Sequence, residues 1–112
     1  MINLSLSEKK MLRDYIGQIR KKFSNKILAI IFYGSKASGD SHKDSDIDML
    51  IVVDGHENKI KRQIQDICWD VMLEHDFPSL MTPIIFFRKQ YEQYKSWNSS
   101  FLNNVAKEGI SL

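Results

Sequence analysis

The chain has 112 residues, of which 43% are hydrophobic and 27% charged, as is ordinary for a soluble globular protein. Its net charge of +2 gives no reason to expect direct binding of nucleic acid, and its longest apolar run is too short to cross a membrane. The single cysteine, Cys68, excludes an internal disulfide. The first residues lack the pattern of a signal peptide. We therefore expect one domain over residues 1–112, in the cytoplasm, with a buried and inert thiol.

The first half of the chain predicts a helix and two strands. Ser5 and Glu8 have the Ser-x-x-Glu form of a capping box, after which apolar residues recur at helical spacing. Residues 27–32 form an apolar, β-branched-rich run typical of a strand covered on both faces. Residues 34–45 are small and polar, and they predict a loop with one helical turn. Residues 45–53 predict the second strand, which Asp54 and Gly55 end.

The second half predicts three helices and one strand. Helical spacing of apolar residues indicates a helix over residues 57–76, and residues 80–87 indicate a strand in which Pro83 favours an edge or a bulge. A short helix is expected over residues 89–97. A last helix carries Phe101, Leu102 and Val105 and stops at Gly109. This order predicts an α/β or α+β fold, a small mixed sheet with helices packed on it.

Two short motifs suggest chemistry at this sheet. Gly34-Ser35 follows the first strand directly, where glycine permits a sharp turn and the serine hydroxyl and free amides can bind phosphate. Asp46 and Asp48 open the second strand, and strand alternation puts both carboxylates on one face with Cα atoms roughly 6.5 Å apart. Two adjacent carboxylates repel each other unless a cation lies between them, and magnesium prefers such oxygens.

Either motif alone is better explained as an ordinary turn or as a pair of solvated acids. Their spacing changes that interpretation. The ten residues from 36 to 45 allow a turn of helix and a return into an adjacent strand. We therefore predict that the phosphate-binding turn and the acid pair meet at one end of the sheet.

At these residues the chain resembles a known family. Residues 33–39 and 45–52 have the sequences Tyr-Gly-Ser-Lys-Ala-Ser-Gly and Ser-Asp-Ile-Asp-Met-Leu-Ile-Val. They resemble the Gly-Ser-x10-Asp-x-Asp signature of the DNA polymerase β-like nucleotidyltransferase superfamily. The short chain is most similar to the minimal nucleotidyltransferase group, and residues 103–110 are similar to its closing helix. Members of that group are usually encoded beside a HEPN-domain partner, and several such pairs are toxin–antitoxin systems.

The resemblance implies a polymerase β-like fold and a role for each motif residue. Gly34 and Ser35 would contact the β- and γ-phosphates of ATP, and Lys36 would keep a positive charge for them. The loop residue Ser45 would cap or orient the loop beside the nucleotide. Asp46 and Asp48 would ligate one or two Mg²⁺ ions, which neutralise the triphosphate and activate an acceptor hydroxyl while pyrophosphate leaves in line.

Two departures from the family pattern are visible. Lys36 and Ser38 stand where the family often carries arginines, and lysine lacks the bidentate fork. The strand at residues 80–87 contains no acid, although active relatives carry a third carboxylate there. We expect Thr82 at that position, with Glu74 and Asp76 as possible substitutes for the missing acid. A site with threonine there is expected to turn over slowly.

Three functions are compatible with these residues. The first is transfer of AMP from ATP to a hydroxyl on a HEPN-type protein partner, as the antitoxin of a pair. The second is a nucleotide-binding antitoxin of little or no activity that acts by occlusion, and the third is small-molecule nucleotidylation of the aminoglycoside type. Two groups of residues are assigned no role in these functions. Solvated side chains are expected for His42, His56 and His75, and core positions rather than a partner surface for Trp69, Tyr91, Tyr94 and Trp97.

Overall fold

The computed structural model describes residues 3–39 and 46–112, which form one mixed sheet with helices on both faces. The strand order is β3-β2-β1-β4, with β1 antiparallel to β2 and β4, and β2 parallel to β3. This confirms the predicted fold class. No helix in the described ranges is long and apolar enough to cross a membrane. In chain order the elements are α1 (Leu6–Lys22), β1 (Ile27–Tyr33), α2 (Ser35–Ser38), β2 (Ile47–Val53), α3 (Asn58–Glu74), β3 (Met81–Phe87), α4 (Arg88–Ser96), α5 (Ser100–Glu108) and β4 (Ile110–Ser111).

Helix α1 begins at the predicted capping box. The Ser5 hydroxyl accepts a hydrogen bond from the Glu8 amide at 3.1 Å, and the Glu8 carboxylate accepts one from the Ser5 amide at 2.9 Å. The two bonds satisfy amides that have no partner within the helix. The apolar stripe of α1 is buried, and the Tyr15 hydroxyl donates to the Ile64 carbonyl of α3 at 3.0 Å. Helices α1 and α3 therefore pack together over one face of the sheet.

The two faces of the sheet are covered unequally. On β2, the side chains of Ile47, Met49, Ile51 and Val53 belong to the large core with α1 and α3. Leu50 and Val52 point to the opposite face, where they form a smaller cluster with α5. On that second face, the β1 side chains of Ala29, Ile31 and Tyr33 are only half-buried, and that of Leu28 is exposed. The prediction that β1 is covered on both faces is therefore right for the first face and wrong for the second.

Two sequence expectations about burial and strand position are confirmed. Strand β3 lies at an edge of the sheet, as Pro83 indicated, because a residue without an amide proton is tolerated there. Cys68 is buried on α3, and its thiol lies 3.7 Å from the Met81 carbonyl. Burial raises the pKa of this thiol to about 11. The cysteine is thus inert, as expected.

The C-terminal segment differs from the prediction in detail. Helix α5 ends at Glu108 beside Gly109, as expected, but Gly109 has a φ of −73° rather than a left-handed conformation. Glycine fits there because a Cβ atom would meet the Val105 carbonyl and the Ile31 side chain. The next two residues form β4, which pairs with Ile31 and Phe32 of β1. A two-residue strand is too short to produce a recognisable pattern.

Candidate active site

The turn after β1 lies directly against the second predicted motif. Gly34 has a φ of +86°, a conformation that side chains other than glycine rarely adopt. A Cβ atom on Gly34 would collide with Oδ2 of Asp48 and would lie 3.3 Å from its Cγ. Glycine is therefore required both by the backbone angle and by the carboxylate beside it. The structure brings Gly34 and Asp48 together, as their spacing predicted.

Strand pairing fixes the environment of Asp48. Thr82 of β3 lies directly opposite Asp48 in the parallel pair, and its hydroxyl donates a 2.8 Å hydrogen bond to Oδ1 of Asp48. Thr82 thus occupies the predicted position facing the acid pair, and it orients the Asp48 carboxylate. Among residues 3–39 and 46–112, no group of three acids, histidines or cysteines could hold a metal ion. Glu74 ends α3 and Asp76 follows that helix; both are exposed, and neither supplies the third carboxylate.

Tyr33 borders Asp48 on its other side. It pairs with Asp48 across the antiparallel strands, and its ring makes an edge contact with Phe101 of α5 at 5.6 Å between centroids. Burial, and then the negative charge of Asp48, raise the pKa of the Tyr33 phenol, which therefore stays neutral. Tyr33 belongs to the sequence motif, but a tyrosine at this position did not by itself indicate a function. Its contact with Asp48 follows from strand register.

Asp46 immediately precedes β2 and is half-buried. Ile47, between the two acids, is fully buried on the opposite face, and its amide donates to the Leu80 carbonyl at 2.8 Å. The backbone between the two acids is therefore held in place both by the buried Ile47 side chain and by the hydrogen bond of the Ile47 amide. Alternation then directs Asp46 to the same face as Asp48.

These two carboxylates suit a magnesium ion that is also bound by a substrate. Magnesium in proteins commonly uses one or two carboxylates and completes its octahedron with water and substrate phosphate. Asp46 and Asp48 provide two carboxylates at an open face of the sheet, and only one oxygen of Asp48 receives the Thr82 hydroxyl. The described residues suit an ion brought with a triphosphate better than an ion enclosed by protein alone.

Lys36 has a different environment from the other motif residues. It is 3% exposed, and its ammonium lies 2.8 Å from Oε2 of Glu8. Burial by itself would raise the pKa of Glu8, but the hydrogen bonds from Lys36 and Ser5 and the charge of Lys36 outweigh it and lower that pKa. The positive charge of Lys36, which the sequence suggested would contact phosphate, is thus paired with the Glu8 carboxylate of α1. Sequence reasoning missed this role of Glu8 because the capping box already accounted for the residue.

The remaining predicted residues have mixed outcomes. Ser35 begins α2, whereas Ser45 and His42 lie outside the described residues. His56 is exposed, but His75 is not simply solvated, since its ring nitrogen lies 2.8 Å from the Asp14 carboxylate. The expectation that the aromatic residues are core is wrong for Trp69, Trp97 and Tyr94, which are 56%, 64% and 40% exposed, and Tyr91 is only half-buried.

Comparison with known proteins agrees with this geometry. The family model described as "Nucleotidyltransferase domain" matches residues 12–103. Two provisionally named protein adenylyltransferases of Methanocaldococcus jannaschii are similar in sequence. One is 29% identical over 96% of this chain and 99% of its own length, and the other is 28% identical over 91% and 95%.

Solved structures support the same fold. A provisionally named nucleotidyltransferase from Sulfolobus solfataricus superposes with a TM-score of 0.51 at 18% identity, over 91% of this chain and 76% of that one. A mutant of the toxin–antitoxin complex MntA–HpeT gives 0.50 at 15% identity, over 88% and 69%. At these identities the structures support the fold alone, and the family model covers most of the chain. The chain therefore belongs to the nucleotidyltransferase domain family.

Proposed function

We propose that this protein is a magnesium-dependent adenylyltransferase that moves AMP from ATP to a hydroxyl on a protein partner. The observation that carries the proposal is the packing of the Gly34 turn on the Asp48 carboxylate, with Asp46 two residues earlier in the chain. Because Gly34 has no side chain, a polyphosphate could approach the backbone of this turn closely, next to Asp48. Without a cation the same acids would repel the phosphates, so a metal–nucleotide complex is the ligand whose charge fits.

The names of the sequence relatives support a protein as the acceptor. The toxin–antitoxin complex among the structural neighbours supports an antitoxin context, and the resemblance to the minimal nucleotidyltransferase group favours a HEPN-type toxin as the partner. On this proposal, modification silences the toxin. The open second face of the sheet leaves room for the partner to contribute its own side of the site.

In the proposed reaction, Gly34 admits the phosphates and Asp46 and Asp48 hold Mg²⁺. When bound, the ion would neutralise part of the triphosphate charge and polarise the reacting oxygens. The acceptor oxygen forms a bond to the α-phosphorus, the bond from that phosphorus to the bridging oxygen breaks, and pyrophosphate leaves. Thr82 keeps Asp48 oriented throughout. Because no third carboxylate joins Asp46 and Asp48 among the described residues, we expect water or the partner to accept the proton of the acceptor hydroxyl, and we expect turnover to be slow.

A second candidate function has one specific observation in its favour. The hydroxyl of Thr82 stands where a third carboxylate would face Asp48. A hydroxyl is a poor general base and a weak magnesium ligand. On this alternative the protein binds nucleotide and neutralises its partner by occlusion, with little or no transfer.

Transfer of label separates the two candidates. The protein is incubated with ATP labelled at the α-phosphate, Mg²⁺ and the protein encoded by the adjacent gene. We expect label on the partner, and its loss by about 100-fold or more in Asp46→Asn and Asp48→Asn, because each change removes a charge at the reacting phosphate. Asp66→Asn, an exposed change on α3, is the matched control and should transfer normally. Absence of label, with neutralisation intact in both site variants, would establish occlusion instead.

A further inference from the structure

The ion pair of Lys36 and Glu8 is unusual for its depth. Its side chains are 4% and 8% exposed, and the two charged atoms lie 2.8 Å apart. Removing two charges from water is costly, and a close pair in the interior often only offsets that cost. The capping role of Glu8 does not require the charge, since glutamine also serves at this position of a capping box. The buried charges therefore call for an explanation beyond the stability of α1.

The position of Lys36 offers that explanation. It lies two residues after Gly34, in α2, a single turn of four residues that has little stability of its own. The structure ties this turn to the start of α1 twice, once by the ion pair and once by the Asn3 amide, which donates to the Lys36 carbonyl at 2.7 Å. Ala37, the next residue, is buried in the large core. Contacts with the start of α1 and with the core therefore add to the few hydrogen bonds that a turn of four residues can make for itself.

We propose that Glu8 is a positioning residue, which through Lys36 holds the turn at residues 34–38 in the geometry that receives the triphosphate. The inference rests on the proposed function, because it assigns the turn to ATP. The inference also gives Lys36 a role other than the phosphate contact that the sequence motif suggested. The ammonium is neutralised by Glu8 and fixes the backbone next to Gly34, instead of contacting phosphate. Swinging Lys36 toward a phosphate would leave the Glu8 carboxylate buried without its cation, which is strongly unfavourable.

A double-mutant cycle distinguishes positioning from direct contact. The affinity for ATP with Mg²⁺ is measured by calorimetry for wild type, Glu8→Gln, Lys36→Met and the double variant. We expect each single change to weaken ATP binding about 10- to 100-fold, because the groups that bind the triphosphate are displaced. The double variant should bind ATP at least as tightly as the single variant with the lower affinity, because both single changes break the same ion pair. If Lys36 contacts phosphate directly, Glu8→Gln would leave affinity unchanged or raise it, and that result would overturn the inference.

Hydrogen exchange shows whether the ion pair holds the turn itself, because a role confined to α1 would leave exchange in the turn unchanged, while the affinity shows whether the turn serves ATP. The amides of residues 35–37 should exchange faster in both single variants, while those of β2 and α3 keep their wild-type rates. Glu57→Gln is the matched control, because it removes an exposed ion pair with Lys26 at 3.9 Å and should alter neither affinity nor exchange. Lower thermal stability of Glu8→Gln, with unchanged affinity and unchanged exchange in the turn, would show that the ion pair only stabilises the fold and would refute the positioning role of Glu8.

The same experiments separate failure of this inference from failure of the proposed function. A wild-type chain that binds no ATP would overturn the proposed function and the nucleotide role of the turn with it. Faster exchange confined to residues 35–37 would then still support Glu8 as the residue that holds the turn. The double variant guards against misfolding, since replacing both members of a buried ion pair by neutral side chains is often tolerated.

Discussion

The two faces of the sheet differ in how completely helices cover them. The face under α1 and α3 is closed, with the side chains of Ile47, Met49, Ile51 and Val53 buried among apolar neighbours. The face under α4 and α5 is partly open, and the row of Tyr33, Asp48 and Thr82 crosses three of its strands. One strand, β2, serves both faces because successive side chains alternate. The larger core and the candidate site therefore lie on opposite faces of β2, and substitutions on the two faces should have different consequences.

The largest expected effect comes from the same substitution made on each face. Ile51→Ala should lower the free energy of unfolding by about 2–5 kcal/mol, because Ile51 is completely buried and the variant leaves a cavity. Ile84→Ala, on the open face and 38% exposed, should lower it by about 1 kcal/mol, since less apolar surface returns to water. Urea unfolding measures both values. Equal losses would contradict the division of the sheet into a closed and an open face.

A smaller effect is expected from adding the missing acid to the open face. Thr82→Asp places a carboxylate beside Asp48, which should lower the free energy of unfolding without magnesium by about 1–4 kcal/mol through repulsion. Added Mg²⁺ should restore much of that loss, and transfer of label should rise about tenfold or more if a third acid can accept the proton.

Thr82→Asn is the control for this prediction, because it has a similar shape and no charge. Thermal unfolding with and without Mg²⁺ should separate the two variants. If magnesium stabilises both to the same extent, the added carboxylate does not join the metal site, and if it stabilises neither, the acid pair is not a metal site of the kind proposed.

The smallest effect concerns pH and belongs to the closed face. Hydrogen bonds from Gln18 and then His75 lower the pKa of Asp14, and these bonds outweigh the opposing effect of burial. A carboxyl whose pKa is lowered by folding stabilises the protein above its unfolded pKa, and the contribution disappears as pH falls through the folded pKa. Because Asp14 is partly exposed, the contribution should be below about 1 kcal/mol.

Asp14→Asn tests that contribution. The difference in unfolding free energy between wild type and variant should be present at pH 6 and shrink as the pH falls below about 4, where the free carboxyl is protonated. A difference that stays constant over this interval would mean that the charge of Asp14 does not link α1 to α3.

The sequence predicted those features that depend on local patterns. The capping box of Ser5 and Glu8, the edge position of Pro83 and the meeting of Gly34 with Asp48 all follow from short-range chemistry or from strand alternation. Thr82 was predicted opposite the acid pair through the family resemblance, and the strand register agrees.

Contacts between distant segments could not be predicted. Lys36 and Glu8 are 28 positions apart, and a lysine beside a phosphate-binding turn gives no sign that its charge is bound elsewhere. The partner of His75 was missed for the same reason, since Asp14 lies on another helix. The exposure of Trp69 and Trp97 depends on which helix faces remain uncovered, and an apolar pattern does not contain that information.

Pro83 also affects how the protein behaves among other chains. The Leu80 carbonyl accepts from Ile47, so alternate residues of β3 direct their backbone groups to β2 and the others, including Pro83, direct them outward. Proline has no amide proton to offer there, and the outward amides of Met81 and Phe87 already donate to Met72 and Gln90. A strand from another molecule would find few donors along this border. This edge of the sheet is thereby protected against edge-to-edge aggregation.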